Sequence, residues 1–176
     1  MADANLQRRS ALDGLSLQTI SGVVSVSPAR AYHRYSLRGD AAALQATLGI
    51  VMPTTPLTAA VHTDRCVLWL GPDEWLLLDT RVRTAATSAN YAIVDVTDRS
   101  TGLSITGPRA ADLLSAGCPL DLDIEAFPEG MCVRTIFAKA EIVLWRVSTE
   151  HFYVDVWRSF APYVVGVLNV AIRDLD

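Results

Sequence analysis

The chain has 176 residues, 51% of them hydrophobic, with a formal net charge of −4 and a mean hydropathy of +0.27. That length suits one domain, or two small halves sharing a core. The apolar excess either fills an α+β core or reserves surface for a partner. An acidic chain without a basic run offers a phosphate backbone no attraction, which excludes nucleic-acid binding from the leading readings.

In chain order, residues 1–22 are polar and mixed, and read as a tail or as an arm that orders against something else. Val23–Val26 and Arg34–Leu37 have strand character. A helix is predicted from Asp40, a suitable N-cap, to Leu48, stopped by Gly49. Pro53 and Pro56 make the next stretch a loop. Cys66–Leu70 and Trp75–Leu78 are apolar runs joined by Gly71-Pro72-Asp73-Glu74, the firmest hairpin in the sequence. Arg81–Ala89, rich in Ala and Thr, is compatible with a helix.

Ala92–Val96 and Leu103–Thr106 read as strands, and Pro108 introduces a helix that runs to Ala116 and stops at Gly117. Cys118–Gly130 is a loop carrying Asp121, Asp123 and Glu125. Arg134–Ala138, Glu141–Val147 and Phe152–Val156 read as three further strands. A final helix, with Ser159 as the expected cap, aligns Phe160, Tyr163, Val164, Val167, Leu168, Ala171 and Ile172 on one face.

The chain repeats itself. At a constant shift of 68 positions, Ser36, Gly39, Ala42, Ala43 and Gly49 fall on Ser104, Gly107, Ala110, Ala111 and Gly117. Trp69 after Leu68 is echoed by Trp145 after Leu144. Each copy reads as strand, glycine turn and short helix, and the hairpins imply antiparallel pairing. The expected fold is α+β, two related antiparallel-sheet-plus-helix halves. Residues 23–90 form the first half and 91–176 the second, packed as one unit.

Chemistry is hard to find in this sequence. His33, His62 and His151 have no metal-ligand spacing with one another or with a cysteine, so no metal site is expected. Cys66, Cys118 and Cys132 form no paired pattern, which suggests buried thiols in a reducing compartment. The glycines match neither a dinucleotide nor a phosphate-loop pattern. Residues 1–22 lack a basic segment leading into an apolar run, and the run near Tyr163–Leu168 is far below the roughly 20 residues of a membrane span. A soluble, cytoplasmic protein that meets no membrane is the expectation.

Two polar clusters remain. Asp95, Asp98 and Arg99 end a strand, where a carboxylate serves as a base or simply caps a turn. Trp157-Arg158-Ser159-Phe160 places an arginine between two aromatics, the composition of an interface hot spot or of a core closure. Trp75 is a further interface candidate. No catalytic residue is assigned.

Taken together, several segments resemble the gamma subunit of heterotetrameric sarcosine oxidase. They are Arg9-Ser10-Ala11-Leu12, Leu70-Gly71-Pro72-Asp73-Glu74-Trp75-Leu76-Leu77, Val94-Asp95-Val96-Thr97-Asp98-Arg99, Gly117-Cys118-Pro119-Leu120-Asp121-Leu122, Arg134-Thr135 with Ala138-Lys139-Ala140, and Asp155-Val156-Trp157-Arg158-Ser159-Phe160-Ala161. The pieces are in order and cover nearly the whole chain. The family is similar in fold to the folate-binding aminomethyltransferase of the glycine cleavage system, whose two α+β halves agree with the internal echo.

The resemblance implies a subunit that supports assembly with larger alpha and beta and small delta subunits. The implied complex demethylates sarcosine to glycine, forms hydrogen peroxide and passes a one-carbon unit to tetrahydrofolate. FAD, FMN, NAD and tetrahydrofolate are then held by other subunits. The chain lacks the Lys-Gly-Cys-Tyr/Phe-x-Gly-Gln signature of another folate-binding relative, which argues against independent folate chemistry. The alternatives are a stand-alone folate or small-molecule binding module, for which Asp95, Asp98 and Arg99 are the weak candidates, and a free-standing hydrolase or transferase built from distant residues. A deep cleft with an inward carboxylate favours the module, and a filled core between the halves favours the scaffold.

Overall fold

The computed structural model describes residues 10–175. Residues 1–9, with Arg8 and Arg9 of the expected arm, and Asp176 lie outside the described residues. The elements in order are β1 (Thr19–Ile20), β2 (Val24–Pro28), β3 (His33–Gly39), α1 (Ala41–Leu48), β4 (Ala59–His62), β5 (Arg65–Gly71), β6 (Glu74–Asp79), β7 (Ala86–Thr87) and β8 (Tyr91–Asp95). They continue with β9 (Ser100–Thr106), α2 (Ala110–Ser115), β10 (Cys132–Phe137), β11 (Ala140–Ser148), β12 (His151–Trp157), α3 (Ala161–Ala171) and a closing 3-10 turn, Ile172–Leu175.

Among the described residues the strands form two six-stranded antiparallel sheets, ordered β1-β2-β9-β12-β11-β10 and β7-β8-β3-β6-β5-β4. The two orders superimpose element by element, so the expected duplicated α+β architecture is present. The halves are interleaved, however. The sequence partition puts β2 in the first half and β8 in the second, yet β2 pairs with β9 and β8 pairs with β3. Thus the first half lends β2 to the second half's sheet, and the second half lends β8 to the first half's sheet.

The echoed glycines make this exchange possible. Gly39 (φ 114°) ends β3, and a β-carbon there would lie 2.2 Å from the Asn90 carbonyl oxygen, where β8 begins. Gly107 (φ 120°) follows β9, and its β-carbon would lie 2.4 Å from the Val23 carbonyl oxygen, where β2 begins. Only glycine tolerates both the backbone angle and the approach. A further symmetric pair joins the sheets at β4 and β10: Ala59 N–H donates to Gly130 O and Cys132 N–H to Leu57 O, each at 2.9 Å.

Helix α1 is capped as its sequence implies. The Asp40 carboxylate accepts the Ala43 N–H at 2.7 Å, and Gly49 closes the helix with φ 61°. Two local expectations are corrected. Arg81–Ala89 is not helical: Asp79 accepts the Arg81 N–H and pairs with the Arg83 guanidinium, while the Tyr35 hydroxyl accepts the Arg83 N–H. These bonds fix a bend and an irregular segment ahead of β7. Ser159 does not cap α3 either. The cap position is Phe160, without a side-chain bond, and a turn from Trp157 O to Phe160 N–H precedes the helix.

Strand alternation builds four layers, helix–sheet–sheet–helix. Tyr35, Leu37, Val67, Trp75, Leu77 and Ile93 pack beneath α1. Leu103, Ile105, Leu144, Phe152 and Val154 pack beneath α2 and α3, joined by Leu12 of the N-terminal arm. Leu15 and Leu17 pack against the same cluster, and the Asn169 amide donates to Ser16 O at 2.7 Å. The described part of the arm is therefore anchored to the body. Between the sheets lie Cys66, Leu68, Leu76, Leu78, Cys132, Trp145 and Tyr153.

Candidate functional site

The largely apolar seam between the sheets holds a buried polar knot, built by residues whose strand parity turns them inward. Arg34 on β3 donates from Nε to Asp155 Oδ2 at 2.5 Å and from Nη2 to the Tyr153 hydroxyl at 3.0 Å. The Tyr153 hydroxyl donates to the same Asp155 oxygen at 2.8 Å. Arg34 Nη1 donates to Tyr32 O at 3.1 Å. Burial alone would lower the Arg34 pKa, but Tyr153 and Asp155 outweigh it and the net displacement is upward. Burial drives the Tyr153 pKa well above its ordinary value. The knot thus holds a charged guanidinium beside a neutral phenol at neutral pH. Gly102 on β9 leaves the space for it, since a β-carbon there would sit 2.8 Å from the Tyr153 ring.

Beside the knot a cleft of about 500 Å³ opens to the surface. Its walls include the link from Pro28 to Arg34, and Thr97, Asp98 and Ser100–Gly102 of the other crossover, together with Ser10–Leu12 and Arg158. The sequence candidates sit around this region in three different states. Asp95 is exposed and its Oδ1 accepts the Thr97 N–H at 2.8 Å, so it shapes the turn. Asp98 lines the cleft and lies 3.9 Å from Arg158 Nη1. Arg99 turns outward and stacks on the Trp157 ring, 5.9 Å from its centroid.

The two polar clusters of the sequence are therefore neighbours. Arg158 N–H donates to Arg99 O at 2.9 Å, tying the end of β12 to the link before β9. Trp157 is 45% exposed and Phe160 40%, on the outside of this joint, with Tyr163 on the next turn of α3 at 39%. Trp75 is corrected as an interface candidate. It is 1% exposed beneath α1, and its indole N–H donates to Pro53 O at 2.7 Å.

Arg34, Tyr153 and Asp155 were not singled out by the sequence. A signal was present for one of them: Asp155 is a charge inside the apolar strand run Phe152-Tyr153-Val154-Asp155-Val156. A charge at such a position requires a buried partner.

The cysteines and histidines offer little reactivity. Burial pushes the Cys66 thiol up to about 11 and the Cys132 thiol up to about 12, so neither supplies a thiolate at neutral pH. His151 Nε2 lies 2.8 Å from Ser104 Oγ, and burial lowers its pKa. Among the described residues, no three His, Cys, Asp or Glu side chains converge on a metal-sized site, and no helix is long and apolar enough to cross a membrane.

Comparison with known proteins finds most of the chain represented elsewhere. The profile of the "Sarcosine oxidase, gamma subunit family" matches residues 37–172. A "Sarcosine oxidase subunit gamma" from Corynebacterium sp. (strain P-1) is 29% identical over 144 residues, covering 77% of this chain and 71% of the relative. The protein of the same name from Corynebacterium sp. (strain U-96) is 31% identical over 144 residues, covering 77% and 70%. Among solved structures, a chain of the heterotetrameric sarcosine oxidase from Corynebacterium sp. U-96, in complex with pyrrole 2-carboxylate, superimposes with a TM-score of 0.84 at 25% identity, covering 96% of both chains. The glycine cleavage system aminomethyltransferase T from Bartonella henselae shares the fold, with a TM-score of 0.59 at 12% identity over 84% of this chain and 45% of that one.

Proposed function

Since this chain belongs to the sarcosine oxidase gamma-subunit family, we propose that it is the gamma subunit of a cytoplasmic heterotetrameric sarcosine oxidase and that its work is to support assembly. In this reading it joins larger alpha and beta subunits and a small delta subunit. The complex demethylates sarcosine to glycine, forms hydrogen peroxide and passes the one-carbon unit to tetrahydrofolate, with FAD, FMN, NAD and tetrahydrofolate held by the other subunits.

The observation that carries this reading is the two-way 96% superposition on a chain of an assembled heterotetramer. Two features of the molecule support a scaffold role. The seam is filled by side chains such as Leu68, Leu76, Trp145 and Tyr153. The charged groups within it are consumed by one another, which rigidifies the two halves instead of presenting a reactive carboxylate.

The partner-facing surface in this reading is the joint at Trp157, Arg158 and Phe160, where exposed aromatics and arginines have hot-spot composition. Co-expression with the three companion subunits tests the proposal: a stable complex containing this chain is expected. A flavoprotein that assembles and oxidises sarcosine equally well without it would overturn the essential-subunit role. For the surface, Trp157→Ala with Phe160→Ala is expected to weaken retention in the complex by tenfold or more, since hot-spot losses run to about 2 kcal/mol.

A further inference from the structure

Arg146, on β11, is a buried arginine most of whose donors are unmet. It is 2% exposed. Its Nη2 donates to Leu122 O at 2.7 Å, and its Cζ lies over the Phe152 ring, 4.5 Å from the centroid. The N–H of Nε and both N–H groups of Nη1 have no acceptor among the described residues. Burial lowers the Arg146 pKa, and the attraction of Asp123 and Glu129 does not make up the difference. A guanidinium stays protonated even so. A buried positive charge with unfilled donors is costly until an acceptor reaches it.

Arg146 lines a cleft of about 460 Å³ bordered by α2, the 120–124 loop and the turn from β11 to β12. The other charges along it are negative: Asp112, Asp121, Asp123 and Glu150. All four are exposed and stand at the rim, while Arg146 lies at the floor. Asp112 is engaged by Arg109, three positions before it. Asp121 Oδ1 accepts the Asp123 N–H and Asp123 Oδ1 accepts the Glu125 N–H, both at 2.9 Å. The second oxygens of these two residues and the Glu150 carboxylate have no cationic partner among the described residues. Charges of both signs therefore border one space without pairing across it.

We propose that this cleft binds a small zwitterion carrying one carboxylate and one ammonium, the charge pattern of an amino acid. The carboxylate meets Arg146 at the floor, whose unmet N–H groups are charge-assisted donors. The ammonium remains at the rim among Asp121, Asp123 and Glu150, where its three donors find oxygens. A plain anion must pass the carboxylates to reach the floor, and a plain cation leaves the guanidinium unfilled. The 120–124 loop has no helix or strand to hold it, so a small shift at Leu122 opens the floor to the ligand.

Titration of the isotope-labelled full chain, followed by amide NMR shifts, tests this with glycine, β-alanine and γ-aminobutyrate, which step the two charges apart. Propionate and ethylamine, with one charge each, are the comparisons. At least one zwitterion is expected to give saturable shifts centred on Leu122, Asp123 and Arg146. Each single-charge probe is expected to bind about tenfold more weakly or worse. Arg146→Met should abolish the binding, and Glu150→Gln and Asp123→Asn should each weaken it about threefold to tenfold. Circular dichroism confirms that each variant is folded. The probe series and Glu150→Gln decide the matter even where Arg146→Met does not fold. Absence of saturable shifts with all three zwitterions overturns the proposal, as does parental affinity in folded Arg146→Met. Propionate or ethylamine binding as tightly as the best zwitterion also overturns it, since either reduces the site to a single charge. None of these residues belongs to the joint at Trp157, Arg158 and Phe160, so a chain that binds no zwitterion can still enter the complex.

Discussion

Removing Asp155 should damage the chain more than removing any surface charge. In Asp155→Leu the Arg34 guanidinium loses its Nε partner at 2.5 Å and the Tyr153 hydroxyl loses its acceptor at 2.8 Å. Both side chains of the ion pair are nearly inaccessible, at 7% and 6%, so water cannot replace the lost oxygen. Breaking a buried pair while leaving its partner charged costs about 3–5 kcal/mol. That is a large part of the about 5–15 kcal/mol by which domains are stable. For a chain of this size it corresponds to a fall in Tm of about 6–20 °C. The triple variant Arg34→Met/Tyr153→Phe/Asp155→Leu removes every polar member together. It should recover to within about 2 kcal/mol of the parent, because an apolar replacement of similar volume avoids both the desolvation and the orphaned charge. Urea unfolding followed by tryptophan fluorescence, with unchanged m-values, gives the three stabilities. A loss below about 1 kcal/mol for Asp155→Leu, or a triple variant as unstable as the sum of the single losses, would refute the reasoning.

The other predictions concern the crossover and the titrating groups. Gly39→Ala and Gly107→Ala should each cost more than about 2 kcal/mol in thermal or chemical unfolding, since a backbone clash adds to an unfavourable positive φ; equal stability of either variant would contradict the exchanged-strand geometry. Cys66 and Cys132 have folded pKa values of about 11 and about 12, above the ordinary 9.0. Their contribution is therefore complete below pH 9 and lost as pH rises toward those values. Stability should fall across that alkaline window, less steeply in Cys132→Ala, and a thiol reagent at pH 7 should label neither thiol before unfolding. His151 has its pKa lowered from the ordinary 6.5 by burial. Its contribution is present above that pH and is lost as pH falls below it, so His151→Gln should flatten the acid limb of the stability profile.

Local chemistry in the sequence determined the elements that depend on near neighbours. Asp40 and Gly49 announce both ends of α1 because capping uses only backbone groups within one turn. The Gly71–Glu74 turn announces the β5–β6 hairpin because its register follows from the turn itself. The 68-residue echo revealed the duplication, and the ordered motifs of the whole chain revealed the family. What the sequence left open has a common physical origin in long-range pairing. Nothing near Val24 or Tyr91 says that β2 and β8 change places; the exchange follows from contacts made far along the chain at Gly107 and Gly39. Arg81–Ala89 is held out of a helix by Tyr35 and Asp79, the first of which lies on another strand. Trp75 resembled an interface anchor because a tryptophan beside a turn looks the same whether its strand faces a partner or α1. Arg34 and Asp155 are 121 positions apart in the chain, and only the stacking of the two sheets makes them one site. Sequence thus determined the duplicated elements and their kinship, and tertiary structure decided which faces meet, because strand parity fixes two faces without saying which of them will be buried.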